Sequence, residues 1–237
     1  MGVSASSSQQ GSLPGAGAER VTEGVWLLRG RPRYAINVYV MGDVLVDAAT
    51  RLAAKRILNQ VRGVQLSAHV LTHGHLDHTG SSHEICQTLG LPLLCGEADR
   101  AVVESGRLPM DDPPLLLRVE HRLWGGPGHP VSRTLHEGDE IAGFAVFEVP
   151  GHSPGHLAFW RESDRVLILG DVLFGLNLAT GRPGLRLPPN VFTPDPRQNL
   201  RSARRLAELE PELICFGHGP PLRDSKRFQE FVASAET

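Results

Sequence analysis

Along the chain, short apolar runs alternate with stretches whose hydrophobic positions recur every three or four residues. Val25–Leu28, Ile36–Met41 and Val44–Val46 predict an opening meander of strands, with Gly42-Asp43 as a tight turn. Ala54, Ile57, Leu58 and Val61 fall at i, i+3, i+4 and i+7, one helix face; Lys55, Arg56 and Arg62 lie off it, and Gly63 marks its end. A strand over Leu66–Leu71, a helix over Ser81–Leu89, a strand over Leu93–Cys95 and a helix over Ala98–Glu104 follow. Residues 106–130, rich in Pro, Gly and Arg, read as an irregular excursion. The second half repeats the rhythm, with strands at Phe144–Val149, Leu157–Trp160 and Val166–Leu169 and a long Pro/Gly loop over 174–196. A helix over Gln198–Leu209 turns Leu200, Ala203, Leu206 and Ala207 inward and Arg201, Arg204 and Arg205 outward. Leu213–Phe216 is the last strand and Lys226–Ala233 a closing helix. Strands apolar on both faces, alternating with helices, predict an α/β fold of central sheets covered by helices.

The bulk numbers narrow the classes. A length of 237 residues can bury a sizeable core, and a net charge of -2 offers no basic track for nucleic acid. No run approaches the roughly 18 apolar residues a spanning helix needs. Cys86, Cys95 and Cys215 are too few for a disulfide framework, so they read as buried small hydrophobes in a reducing compartment, and the expected location is cytoplasmic. Residues 1–19, rich in Ser, Gly and Ala, read as a disordered tail, leaving 20–237 as one domain.

The chemistry gathers where apolar strands end. THGHLDH follows Leu66–Leu71, PGHSPGH follows Phe144–Val149, GD follows Val166–Leu169, and GHG follows Leu213–Phe216. In layered α/β proteins the loops at the carboxyl ends of strands share one edge, so donors distant in sequence meet there. Those arriving are His73, His75, Asp77, His78, His152, Asp171 and His218: five imidazoles and two carboxylates. A tetrahedral zinc site takes about four ligands and a catalytic one keeps a place for water, so seven suit two ions sharing a carboxylate. Nitrogen and oxygen donors without thiolate fit Zn, Fe or Mn rather than Cu(I).

Together, THGHLDH, the downstream PGH, the LGD and the final GHG resemble the metallo-β-lactamase superfamily, and within it the glyoxalase II-like hydrolases. The resemblance runs from about Val25 to the closing helix. It implies a four-layer αββα sandwich of two mixed β-sheets flanked by helices, with a dinuclear site on one edge. It implies His73, His75 and His152 on one metal, Asp77, His78 and His218 on the second, and Asp171 bridging. Asp47, in VLVDA, matches an aspartate that supports the ligand loop from behind. The implied cofactors are two divalent ions, zinc expected, with iron or manganese compatible. The implied reaction is attack of a metal-bridging hydroxide on an ester-like bond, with Asp77 as the catalytic residue that orients the water and takes its proton.

Among the superfamily's substrates, some fit the residues poorly. The 19 residues after His218 hold no counterpart of the long basic region that grips glutathione in glyoxalase II, and Arg223, Lys226 and Arg227 read as a solvated helix face. Homoserine lactonases use a tyrosine between the bridging aspartate and the last histidine, whereas the tyrosines here are Tyr34 and Tyr39. True β-lactamases generally lack the bridging aspartate, and flavodiiron proteins carry Glu where this chain has His75. What remains is a hydrolase of a small-molecule thioester, ester or lactone. The alternatives are a mononuclear-iron sulfur dioxygenase on His73, His152 and Asp171 and, further off, a phosphodiesterase. The expected partner is a small-molecule substrate, with neither nucleic acid nor membrane, and a homodimer is left open. Phe174, Leu176, Leu185, Leu187, Val191, Phe192 and Trp124 are expected in the pocket walls. His156 reads as a neighbour of His152 or a packing residue, His69 and His83 as packing or surface, and His121, His129 and His136 as exposed.

Overall fold

The computed structural model describes residues 14–15, 17–107 and 115–237. Of the expected tail, residues 1–13 and 16 lie outside the described residues; the Gly15 N–H already donates to Gln60 O at 2.7 Å. The first sheet runs in chain order as β1 (Glu19–Thr22), β2 (Val25–Leu27), β3 (Tyr39–Met41), β4 (Val44–Val46), β5 (Ala68–Val70), β6 (Leu93–Gly96) and β7 (Arg133–Leu135). Its first four strands pair antiparallel and the rest parallel, so the sheet is mixed. The chain then crosses to β8 (Glu140–Ile141), β9 (Phe144–Glu148), β10 (Leu157–Arg161) and β11 (Val166–Gly170), which pair antiparallel. A two-stranded ribbon, β12 (Phe174–Leu176) and β13 (Pro183–Arg186), precedes β14 (Leu213–Phe216), which docks parallel to β11 and closes the second sheet.

Period-2 patterning sorts the side chains into layers. Val44 and Val46 of β4 face Phe144, Val146, Phe159 and Ile168 across the gap between the sheets. Leu45, between them, turns outward to Ile57 of α1 (Ala54–Gln60) and to Ile85, beyond α2 (Leu76–Thr79), in α3 (Ser82–Leu89). Next in the chain come α4 (Arg100–Ser105) and α5 (Leu115–Trp124). The outer face of the second sheet, Leu167, Leu169 and Ile214, is covered by Ala203 and Leu206 of α6 (Pro196–Ala207) and Phe228 and Val232 of α7 (Ser225–Ser234). Helix, sheet, sheet, helix is the expected four-layer αββα sandwich. Phe159 is fully buried between the sheets, so truncating it to Ala would cost about 3–5 kcal/mol. Among the described residues no helix is long and apolar enough to cross a membrane.

Two stretches expected as loops contain regular elements. The excursion contains α5, introduced by Pro113-Pro114 and ended by Gly125-Gly126, punctuation that starts and stops helices as readily as it fills loops; its residues 108–114 lie outside the described residues. The stretch 174–196 opens with the β12–β13 ribbon, whose strands of three and four residues are too short, and too rich in Gly and Pro, to show alternation. Strands β1, β7 and β8 also escaped the pattern, for they are short and partly exposed. Helix α1 ends at Gln60 with Val61 as its cap, two residues ahead of Gly63. The β3–β4 turn lies where expected, with Gly42 at φ 59°, a conformation that favours glycine.

Strand direction gathers the chemistry. β4 and β5 run parallel, so the residues after them, Asp47 and Thr72–His78, leave from one edge. β9 is antiparallel to β10, which is antiparallel to β11, and β14 is parallel to β11. The residues after β9, β11 and β14, namely His152, Asp171 and His218, therefore leave a common edge of the second sheet. The sheets are tied there by Leu157 N–H to Thr72 O at 2.7 Å and Asn37 N–H to Gly217 O at 2.8 Å.

Candidate metal centre

The Oδ2 atom of Asp171 is the hub. Four imidazole Nε2 atoms surround it: His218 at 3.1 Å, His78 and His152 at 3.4 Å, and His73 at 3.8 Å. Asp77 lies on the outer side, its Oδ2 3.3 Å from His218 Nε2 and 3.9 Å from His78 Nε2. Three sets of donor atoms fall within 4.8 Å of one another: His73, His75 and His152; His73, His78 and Asp171; and Asp77, His78 and His218. All seven side chains singled out from sequence are thus brought together.

Each hub imidazole is held by its other nitrogen. Thr72 Oγ1 donates to Asp47 Oδ2 at 2.8 Å and accepts from His73 Nδ1 at 3.0 Å. Asp47 Oδ2 also accepts from His78 Nδ1 at 2.8 Å, while its Oδ1 accepts the Thr72 N–H at 2.8 Å. Thr193 Oγ1 donates to Pro189 O and so accepts from His152 Nδ1 at 3.1 Å. His218 Nδ1 donates to the carbonyl of Ala35. With Nδ1 committed to a hydrogen bond in all four, every Nε2 is the atom aimed at the hub, the one that would give its lone pair to a metal.

The electrostatics divide the cluster. Burial and neighbouring imidazoles push His73 well below its ordinary range, and burial beside His152 brings His75 down to about 3. Burial works the same way on His78 and His218, but there the carboxylates win. Asp171, Asp47 and Asp77 raise His78 well above its ordinary range, and Asp171 and Asp77 raise His218 to about 10. Burial would lift Asp171, yet His218 and His78 hold it well below the usual carboxylate range. Three carboxylates, Asp47, Asp77 and Asp171, thus draw positive charge to the centre, which protons supply when nothing else does.

The donor set fits metal ions. His73 Nε2, His78 Nε2, His152 Nε2 and Asp171 Oδ1 are buried without a hydrogen-bond partner, an expense that native interiors avoid. The glycine after β14 leaves room for the carboxylate: a Cβ on Gly217 would fall 2.0 Å from Asp171 Oδ1.

Further residues support the cluster, and the first of them gave no sequence signal. Asp99, buried after β6, accepts from Gly74 N–H at 2.8 Å, Ser153 Oγ at 2.6 Å and Gly155 N–H at 2.8 Å, strapping the His73–His75 loop to the His152 loop. His156 accepts the Asp171 N–H at 3.1 Å and stacks on His73 with centroids 4.7 Å apart. Phe174, expected in the wall, lies 4.7 Å from the His218 ring and 6.2 Å from that of His152. Val191, also expected there, is 65% exposed, and Leu185 and Leu187 pack beneath, toward α6 and α7. Trp124 is 40% exposed, its carbonyl accepting from Arg51 N–H. His136 is exposed as expected; His121 and His129 are half-buried, the former against Gly106 O and the latter against His83. The three cysteines are buried, free and away from the cluster.

A two-sheet sandwich with a His/Asp cluster at the strand-end edge defines a class of metal-binding proteins. A family model described as the metallo-beta-lactamase superfamily matches residues 31–218, and the chain belongs to that superfamily. The probable metallo-hydrolase YflN of Bacillus subtilis is 31% identical over 206 residues, 76% of either chain. A hydroxyacylglutathione hydrolase of Bdellovibrio bacteriovorus is 27% identical over 186 residues; the match spans 73% of this chain and 60% of that protein. Among solved structures, TTHA1623 in a di-iron-bound form aligns over 86% of this chain and 92% of its own, with 29% identity and a TM-score of 0.59.

Proposed function

We propose that the chain is a two-metal hydrolase that cleaves an ester-like bond, a thioester, ester or lactone, in a small molecule. The observation that carries this reading is Asp171 Oδ2 placed within 3.8 Å of four imidazoles, with a further donor group on either side. Such a geometry suits one carboxylate shared by two ions: His73, His75 and His152 would hold one, Asp77, His78 and His218 the other. YflN and the hydroxyacylglutathione hydrolase are named for hydrolysis, and the di-iron form of TTHA1623 makes iron as fitting as zinc for this donor set.

Two ions bound there would supply a water acidified to near neutrality and a Lewis acid for the carbonyl oxygen. The chain's own residues do the rest. Asp77, the carboxylate of the cluster with appreciable exposure (side chain 22%), faces the open side and orients the incoming water. Its carboxyl, lifted by burial but lowered further by His78 and His218, is ionised at neutral pH and free to accept a hydrogen bond from that water. The Phe174 ring excludes solvent beside His218. Elemental analysis of the purified protein with a thioester and lactone panel tests the reading. Two ions per chain and hydrolysis of at least one member are expected, and Asp77→Ala lowers kcat far more than it raises KM. One iron per chain with oxygen consumption in place of hydrolysis would overturn it in favour of the dioxygenase.

A further inference from the structure

The β12–β13 ribbon carries a cation that has no counter-ion among the described residues. Arg186, half-buried at the end of β13, has its Nε shielded from solvent without a hydrogen-bond partner. Among the described residues no carboxylate lies within ion-pair distance of its guanidinium, and between Asp171 and Asp195 the sequence has no acidic residue. A guanidinium cannot shed its charge at neutral pH, so a shielded, unanswered one is a cost that a ligand can repay.

The direction of the side chain follows from the register. Leu185 and Leu187 pack into the layer beneath, with Phe216 and Phe228. Residues alternate across a strand, so Arg186 points to the opposite face. Its Cα partner on β12 is Phe174, and directly paired residues share a face. That face is the one on which the Phe174 ring meets the rings of His218 and His152. Arg186 therefore stands beside the wall of the metal centre, on the side a substrate would occupy.

We propose that Arg186 is a specificity-determining residue that receives an anionic oxygen group of the substrate, a carboxylate or a phosphate, through the two-pronged guanidinium geometry. This rests on the hydrolase reading above and narrows it to substrates with a negative charge a short distance from the scissile bond. A planar fork with two parallel N–H donors matches both anions, and burial of Nε sharpens the preference by fixing the plane.

Three thioesters test the assignment and locate the charge: butyryl-N-acetylcysteamine, succinyl-N-acetylcysteamine and the butyryl thioester of 3-mercaptopropionate. The first is neutral, the second is anionic on the acyl side and the third on the thiol side. The wild-type protein is expected to favour one anionic member over the neutral one by about tenfold or more in kcat/KM, chiefly through KM. Arg186→Ala and Arg186→Gln should collapse that ratio toward one, and Arg186→Lys should restore part of it; the Gln variant covers the case in which truncation unfolds the ribbon. No anionic preference in the wild type, or a preference that survives both neutral variants, overturns the proposal. If none of the three thioesters is hydrolysed, the hydrolase reading is decided separately by the wider thioester and lactone panel, and Arg186 is judged by calorimetric titration of the metal-loaded protein with glutarate and inorganic phosphate. At least one should bind about tenfold more weakly to Arg186→Gln than to wild type; equal binding, or none to either protein, overturns the assignment.

Discussion

Replacing Asp47 with asparagine exchanges one carboxylate oxygen for an amide nitrogen at the point where three hydrogen bonds converge. Asparagine is the informative choice because Asp47 has φ 61°, a left-handed conformation that Asp and Asn tolerate and alanine resists. The amide oxygen can keep the Thr72 N–H, at 2.8 Å from Oδ1. The amide nitrogen then occupies the place of Oδ2, which accepts from Thr72 Oγ1 and His78 Nδ1, both at 2.8 Å. Thr72 can rotate its hydroxyl. His78 has two courses. It can leave Nδ1–H unpaired in a fully buried site, at a cost of about 1–3 kcal/mol, or move its hydrogen to Nε2 and lose the lone pair that faces Asp171.

Either course weakens the Asp77–His78–His218 group. Loss of a carboxylate behind a histidine ligand typically lowers metal affinity about 10–100-fold, which is about 1.4–2.7 kcal/mol. The His73–His75–His152 group should suffer less, since Thr72 Oγ1 can still accept from His73 Nδ1, now 3.0 Å away. Zinc titration against a chromophoric chelator should therefore show one tight ion retained and a second weakened in Asp47→Asn. Thermal melts with chelator present separate a binding defect from a folding defect. Two ions bound with wild-type affinities would refute the claim that Asp47 sets the tautomer of His78.

Gly217→Ala should be disabling, because its Cβ would meet Asp171 Oδ1 at 2.0 Å and His78 Cε1 at 2.8 Å. A destabilisation of about 1–3 kcal/mol is expected in denaturant melts, with loss of metal on dialysis. Asp99→Asn places an amide N–H₂ against at least one of three donors, from Gly74, Ser153 and Gly155; depleted metal in a chain that still folds is expected, and wild-type metal content would count against the strap. His69, buried between Leu45 O and Ser82 Oγ, is brought down to about 4 by burial. A depressed folded-state pKa means that the unfolded chain protonates first. Stability present above pH ~6.5 is thus lost as pH falls toward the folded value, by about 3 kcal/mol at most. Urea melts of wild type and His69→Gln from pH 7 to 4 should show their difference shrinking by that order, and a constant difference would refute it.

What could be read from the chain depended on how far apart the interacting parts lie. Val44–Val46 and Val166–Gly170 are buried on both faces, and a run of apolar residues reports that locally. The face of α6 is similarly written at intervals of three and four residues. The ribbon escaped because a strand such as Pro183–Arg186, neither wholly buried nor regularly alternating, has no local signature; pairing with Phe174 and Leu176 makes it a strand. The metal-site donors were legible for a related reason: each follows a legible strand, and one edge collects them. Their supports were not. Thr193 reaches His152 across 41 residues, and Asp99 bonds to groups 25, 54 and 56 residues away. Nothing near either residue distinguishes it from any other turn residue. Likewise, what marks Arg186 is an Nε buried without a hydrogen-bond partner, which is a property of three dimensions.

The backbone around the site adds a further reason. Glycine is the usual marker of left-handed backbone, yet Tyr34 at φ 63° and Ala49 at φ 53° hold that conformation without it. Each costs on the order of 1–3 kcal/mol and persists only where its surroundings over-determine it. Those surroundings are the site. Tyr34 O accepts from Gly219 N–H at 2.8 Å, and the next carbonyl, that of Ala35, takes the hydrogen of His218 Nδ1. Ala48 N–H, between Asp47 and Ala49, donates to His78 O at 2.7 Å. The strained residues therefore flank the backbone groups that fix two ligands of the proposed second ion, His78 and His218. Strain of this kind favours a rigid frame built before any ion arrives over donors that rearrange to meet one, so removing metal should leave the 31–37 and 47–53 segments as protected from hydrogen exchange as in the loaded protein. Exchange that accelerated in those segments on chelation would place the source of their order in the ion instead.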